Sequence, residues 1–134
     1  MSYAIGNIVY GIDASEGSRL LSIIEEWLEE NEDSDVQEVA YAVEDMQDPE
    51  NFREHWCKSY YSAGGPEPAV FGVELNRIDE CGNVSIERLN EMATVKGTTK
   101  LEYKKRYDNL PQSLRSKIEE AGLKAEAFIL WSSS

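Results

Sequence analysis

The stretch AIGNIVYGIDASEGSRLLSIIEEWLEEN (residues 4–31) predicts a strand followed by an amphipathic helix. Residues 4–12 alternate apolar side chains between two faces, as expected of a strand. Residues 18–31 repeat apolar side chains at the spacing of one helical face, and Ser15 or Ser18 can cap the start. The members of that face are Leu20, Ile23, Ile24, Trp27 and Leu28.

The rest of the chain is predicted to mix short helices with short strands. Residues 36–46 fit both a helix and a strand, and a helix is favoured because Ser34 or Asp35 can cap it and Asp48-Pro49 can end it. Strands are predicted at 57–61, 69–75 and 125–131, and a short helix or turn at 50–56. Further helices are predicted from Ser85 onward, from Thr98 or Thr99 to Tyr107, and from Pro111 to Gly122. The last of these helices is expected to bury Leu114, Ile118 and Ala121.

This order of elements indicates an α+β fold in which helices cover a small, mainly antiparallel or mixed sheet of about four strands. A chain of 134 residues is expected to form a single domain, 1–134. With 41% hydrophobic and 10% aromatic residues, it is too apolar for intrinsic disorder.

Composition also excludes several classes of partner and compartment. The net charge of −13 disfavours direct binding to nucleic acid and to an acidic membrane surface. No apolar run approaches the roughly 20 residues of a membrane span, and no signal peptide is evident. Two cysteines are too few for a disulfide scaffold, so we expect a cytoplasmic protein with reduced thiols.

The charge is divided unevenly along the chain. Residues 1–56, the acidic N-terminal lobe, contain fifteen acids and only two bases, whereas residues 57–134 contain eleven of each. Between Arg19 and Arg53 there is no base at all. Such a one-sided field attracts cationic partners or imitates a polyanion.

Several acids of the lobe are placed against helix stability. Glu25 and Glu29 form an i,i+4 pair of like charges, as do Glu26 and Glu30, and each pair costs about 0.2–0.5 kcal/mol. Acids near a helix C-terminus also oppose the macrodipole by about 0.3–1 kcal/mol. We therefore predict a partner-binding surface, composed of Glu25, Glu26, Glu29, Glu30, Glu32, Asp33, Asp35, Glu38, Glu44, Asp45, Asp48 and Glu50.

Two other interpretations of these acids stay open. They could be a solvated face that keeps the protein soluble. They could also bind a metal, but Asp33-Ser34-Asp35 lacks the glycine and the distant glutamate of a calcium loop, so no metal and no cofactor is predicted.

A basic patch in the second half complicates the charge pattern. It consists of Lys96, Lys100, Lys104, Lys105 and Arg106, opposed only by Glu102. The patch can be a plain helix surface, can fold back onto the acidic lobe, or can make the molecule bipolar and able to form a homodimer.

Three further groups of residues are weaker candidates for a functional site. If residues 54–59 are extended, His55 and Cys57 project to one face, and with Asp79 they would imitate a thiol nucleophile site. A zinc site from His55, Cys57 and Cys81 lacks paired ligand spacing. The loop after the strand at 57–61 is a candidate recognition tip, formed by Tyr60, Tyr61, Gly64 and Gly65.

The segments YYSAGG (60–65), FGVEL (71–75), IDEC (78–81) and WSS (131–133) resemble uncharacterised small proteins encoded by phages and prophages. Small acidic phage proteins of this size are similar to anti-restriction and anti-CRISPR inhibitors, which occlude the nucleic-acid site of a host nuclease. The resemblance implies a location in the host cytosol and assigns no role to any residue.

Together these observations predict a non-enzymatic protein-binding module. It would dock on a basic host protein, such as a nuclease or another nucleic-acid-binding protein, and inhibit it by nucleic-acid mimicry. The alternatives are a small enzyme or ligand-binding domain with a pocket near His55, Cys57 and Asp79, and an assembly protein that oligomerises.

Overall fold

The computed structural model describes the backbone of residues 4–60, 67–78 and 85–133, and the side chains of these residues except 4, 5 and 131–133. The elements are β1 (Ala4–Asp13), α1 (Arg19–Glu30), α2 (Gln37–Met46), α3 (Pro49–Trp56), β2 (Lys58–Ser59), β3 (Ala69–Ile78), α4 (Ile86–Met92), α5 (Gly97–Asp108), α6 (Gln112–Glu120) and β4 (Glu126–Ser133). This is an α+β fold with a four-stranded sheet, which confirms the predicted class.

The sheet has the strand order β2-β3-β1-β4, and all of its pairings are antiparallel. The central strand β1 pairs with β3 on one side and with β4 on the other, with a bulge between Ile8 and Val9. Gly11 lies opposite Gly72, and a Cβ on either glycine would overlap the backbone of the neighbouring strand. Glycine is therefore required at this close approach.

The main core lies between one face of the sheet and the helices. Ile12 and Phe71 are directly paired, so their side chains point to the same face. The predicted stripe of α1 buries Leu20, Ile23, Ile24 and Trp27, and α6 adds Leu114 and Ile118. The Trp27 indole donates a 2.9 Å hydrogen bond to the Ser113 hydroxyl, which joins α1 to α6. Leu28, predicted on the stripe, is only half-buried at its edge.

Local capping explains where α1 and α3 begin. The Ser18 hydroxyl accepts a hydrogen bond from the backbone of Leu21 at the start of α1. The Asp48 carboxylate accepts one of 2.6 Å from Asn51, and Pro49 occupies the first turn of α3. The helix prediction for 36–46 is confirmed, but α2 begins after Val36 without a side-chain cap, so the predicted capping by Ser34 or Asp35 is wrong.

Other local predictions are also wrong. Neither Thr98 nor Thr99 caps α5, which begins one residue earlier, at Gly97. Ala121 follows α6 and is exposed, whereas the terminator Gly122 has the expected left-handed φ of 74°. Of residues 57–60 in the strand predicted over 57–61, only the two residues of β2 are found as strand, and Tyr61 lies outside the described residues. Within the described residues, no helix is long and apolar enough to cross a membrane.

Candidate protein-binding surface

The twelve acids of the predicted partner-binding surface are all exposed. Two of them form ion pairs and one caps a helix. The other nine have no hydrogen-bond or ion-pair partner among the side chains that the structure describes. The carboxylates therefore face solvent rather than the interior of the protein.

The acids of α1 divide between an outer face and a flank. At 100° per residue, Glu25 and Glu29 lie opposite the buried stripe, and the last turn contains no base. Glu30 lies on the flank that meets α6, where it accepts a 3.0 Å hydrogen bond from Lys117. This hydrogen bond, with the nearby charge of Glu26, raises the pKa of Lys117. The flank is therefore partly neutralised, and the outer face is not.

The outer face of α2 combines acids with an exposed aromatic ring. The buried side of the helix carries Val39, Ala42 and Met46, so Tyr41 lies on the opposite side and is 62% exposed. Glu38 lies three residues before it, and Glu44 and Asp45 lie three and four residues after it. On a helix these positions are immediate neighbours, so carboxylates surround the tyrosine.

Two acids of the set serve the local structure of α3. Asp48 is its N-cap, as described above, and Glu50 lies 3.5 Å from Arg53 in the same helix. A substitution of Asp48 would remove a cap worth about 1 kcal/mol as well as a charge. Asp48 and Glu50 are therefore the least informative positions for testing partner binding.

The basic patch of α5 does not neutralise the acidic lobe. Lys104 pairs with Asp108 at 2.8 Å in its own helix, and Lys96, Lys100 and Lys105 are exposed. Arg106 contacts the lobe, because its guanidinium donates a 2.7 Å hydrogen bond to the Trp56 carbonyl, and it also lies 5.8 Å from the centre of the Phe71 ring. No ion pair joins a base of the patch to an acid of the lobe within the described ranges.

The described residues do not support the alternative thiol nucleophile site. His55 belongs to α3, as the helix or turn predicted at 50–56 implies, so the extended conformation of residues 54–59 that the thiol site requires is not present. Burial raises the pKa of the Cys57 thiol to about 12, and this opposes the thiolate that a nucleophile requires. Asp79 and Cys81 lie outside the described residues. The described part of the chain contains no cluster of three or more potential metal ligands.

The predicted recognition tip is described only at its start. Tyr60 is half-buried, and burial together with the charge of Glu74 raises its pKa to about 12. Its hydroxyl is buried without a hydrogen-bond partner among the described residues. Tyr61, Gly64 and Gly65 lie outside them.

The alternative prediction of a pocket near His55, Cys57 and Asp79 has a partial counterpart, a pocket that His55 lines and Cys57 does not. A cavity of about 520 Å³ lies where the C-terminal parts of α2, α3 and α5 meet, and it is lined by Glu44, Asp45, His55, Trp56, Arg106 and Asn109. Glu44 and Asp45 belong to the predicted surface, His55 to the alternative pocket and Arg106 to the basic patch, whereas no sequence prediction assigned Trp56 or Asn109 to a site. No local sequence pattern predicts this combination of residues, because they come from three helices that are brought together by tertiary packing.

Comparisons with known proteins found no relative of this chain. No family model, no curated protein and no solved structure matches it.

Proposed function

We propose that the chain is a protein-binding module that docks its acidic lobe on the basic surface of a host protein. The partner is a nuclease or another nucleic-acid-binding or defence protein. Docking occludes the site at which that protein binds DNA or RNA, and so inhibits it. The observation that carries the proposal is the exposure of all twelve acids, nine of which lack a partner among the described side chains.

Charge spacing along α1 supports mimicry of a nucleic acid. Four carboxylates lie between Glu25 and Glu30, a rise of about 7.5 Å along the helix axis. Because Lys117 pairs with Glu30, three unpaired charges remain, about one per 2.5 Å, compared with about one per 1.7 Å in duplex DNA. A surface that binds phosphates through lysine and arginine would meet a comparable density of negative charge here.

The exposed Tyr41 adds an aromatic anchor to a surface that otherwise consists of charges. Interfaces draw most of their binding energy from a few aromatic or arginine anchors, whereas exposed charges contribute mainly to encounter rate and specificity. A tyrosine among carboxylates can pack on the aliphatic parts of arginine and lysine side chains while the carboxylates pair with their charged ends. The outer face of α2 therefore has both components of a binding surface.

The proposal is tested by capture from a bacterial lysate on the immobilised protein. A basic nucleic-acid-binding protein should be retained at low salt, released by added salt, and displaced by DNA. Recovery of no basic protein at low salt would refute the proposal, and so would retention that is indifferent to salt.

A charge-reversal variant locates the surface. Glu25→Lys, Glu29→Lys, Asp33→Lys and Glu38→Lys together should abolish capture, because they reverse exposed and unpaired acids without touching the Asp48 cap or the cavity. The matched control reverses four exposed acids outside the lobe, namely Glu67, Glu87, Glu91 and Glu126. Both variants change the net charge equally, so equal loss of capture in the two would show that net charge, not this surface, is recognised.

A further inference from the structure

We infer that the cavity at the ends of α2, α3 and α5 receives an arginine side chain of the basic partner. This inference rests on the proposed function and names a specific anchoring site within it. The volume of about 520 Å³ lies in the range of cavities that hold small ligands, and it exceeds what one side chain requires. The cavity opens on the same acidic lobe that carries the exposed surface.

The electrostatics of the cavity favour a cation. Glu44 and Asp45 line it side by side, both exposed and without an ion-pair partner among the described residues. The C-terminal parts of three helices also converge there, and the carbonyl end of a helix carries a partial negative charge. The one fixed cation in the lining, Arg106, is outnumbered by the two carboxylates.

The cavity also contains an aromatic side chain held in place. Trp56 lines it, and its ring stacks on that of Phe52 at a centroid distance of 6.2 Å with an interplanar angle of 15°. Because Phe52 is fully buried, the tryptophan ring packs against the core of the protein on that side. Cations bind to aromatic rings, and tryptophan is the strongest acceptor of this kind.

Arg106 shows which cation this environment accommodates. Its guanidinium donates to the carbonyl at the end of α3 and lies over the Phe71 ring, so it combines a helix C-terminus with an aromatic surface. The Nε of Arg106 is buried without a hydrogen-bond partner among the described residues, and Arg106 already occupies the end of α3. A second guanidinium would therefore meet the Trp56 ring, the ends of α2 and α5, and the two carboxylates. Arginine is preferred to lysine because its planar group pairs with carboxylates through two hydrogen bonds and stacks on rings.

The direct test uses N-acetyl-arginine amide as the ligand and the Trp56 indole N–H signal in NMR spectra as the reporter. We expect saturable shifts with a dissociation constant in the range of about 1 mM, as suits one side chain without the rest of an interface. The neutral analogue N-acetyl-citrulline amide should not shift the signal, and N-acetyl-lysine amide should bind several-fold more weakly. Equal shifts with citrulline, or shifts that do not saturate, would overturn the inference.

Variants separate the cavity from the rest of the surface. Glu44→Gln with Asp45→Asn should weaken the arginine probe at least tenfold, whereas Glu25→Gln with Glu26→Gln should leave it unchanged. An equal effect of the two pairs would show that the probe responds to general charge and would overturn the inference.

The same variants distinguish failure of the inference from failure of the proposed function. Lysate capture that survives in Glu44→Gln with Asp45→Asn, but is lost in the fourfold charge-reversal variant, would overturn the arginine site and leave the proposed function standing. Saturable arginine binding without capture of any basic protein would support the cavity and refute the proposed function.

Discussion

The substitution Glu29→Lys should stabilise the protein, although it alters a residue that we assign to the binding surface. Glu29 is exposed in the last turn of α1, which contains no base, and Glu25 lies four residues before it. A lysine at this position would face the negative end of the helix and would pair with Glu25 in the favourable order, with the acid nearer the N-terminus.

The magnitude follows from two local interactions. Loss of the Glu25–Glu29 repulsion and its replacement by attraction contribute about 0.2–0.5 kcal/mol each. The interaction with the helix end likewise changes from unfavourable to favourable, and each of these two steps contributes about 0.3–1 kcal/mol, with the lower values expected at an exposed site. Since both positions are solvent-exposed, we expect a net increase of about 1 kcal/mol in the free energy of unfolding at low salt. For a domain of this size that corresponds to a Tm increase of about 4 °C.

The assay is urea unfolding at about 0.02 M and about 1 M NaCl, between which the screening length falls from more than 20 Å to about 3 Å. Glu29→Gln, which removes the charge without reversing it, should give roughly half of the gain. Glu87→Lys, in the first turn of α4, should destabilise because an acid is favourable at a helix N-terminus. Unchanged or reduced stability of Glu29→Lys at low salt would refute the reasoning, and so would a gain that persists undiminished at high salt.

Three further outcomes follow from the fold. Gly11→Ala should cost more than about 2 kcal/mol in urea unfolding, because its Cβ overlaps the paired strand, whereas Gly97→Ala, with open space around it, should be neutral or slightly stabilising. The Cys57 thiol, whose pKa is raised to about 12 by burial, should resist alkylation at about pH 8 until urea unfolds the chain, as measured by peptide mass mapping; rapid native labelling would contradict this. Burial and Glu119 raise the pKa of Tyr107 from 10.0 to about 12, so the unfolded chain loses that proton first and the free energy of unfolding should fall as pH rises from 10 to 12. Tyr107→Phe should remove part of that fall, and an identical pH profile would contradict it.

Local patterns predicted the helices that have a strong apolar stripe or a clear stop. The helix predicted over 18–31 is found as α1, capped by Ser18, because five apolar positions leave only one face to bury. Residues 36–46 are helical because Val39, Ala42 and Met46 share one face, whereas a strand would alternate them between two. The caps were predicted less well, since neither Ser34 or Asp35 at α2 nor Thr98 or Thr99 at α5 caps its helix.

The sheet order and the cavity depend on contacts that no local pattern contains. The pairing of β1 with both β3 and β4 joins residues far apart in sequence, and the alternation of each strand is compatible with several neighbours. Trp56 and Arg106 lie fifty residues apart and meet only through the packing of α5 against the sheet. The sequence could place the acids on exposed helix faces, but it could not show that three helix ends line an open pocket beside them.

The most direct test of the account is competition between this protein and DNA for the captured basic protein, measured as a function of salt. The account predicts that the wild-type chain inhibits DNA binding, that inhibition weakens steeply as salt rises, and that the variant reversed at Glu25, Glu29, Asp33 and Glu38 fails to inhibit although it remains folded. Inhibition by that variant equal to the wild type's, or inhibition insensitive to salt, would contradict the claim that the acidic lobe is the binding surface.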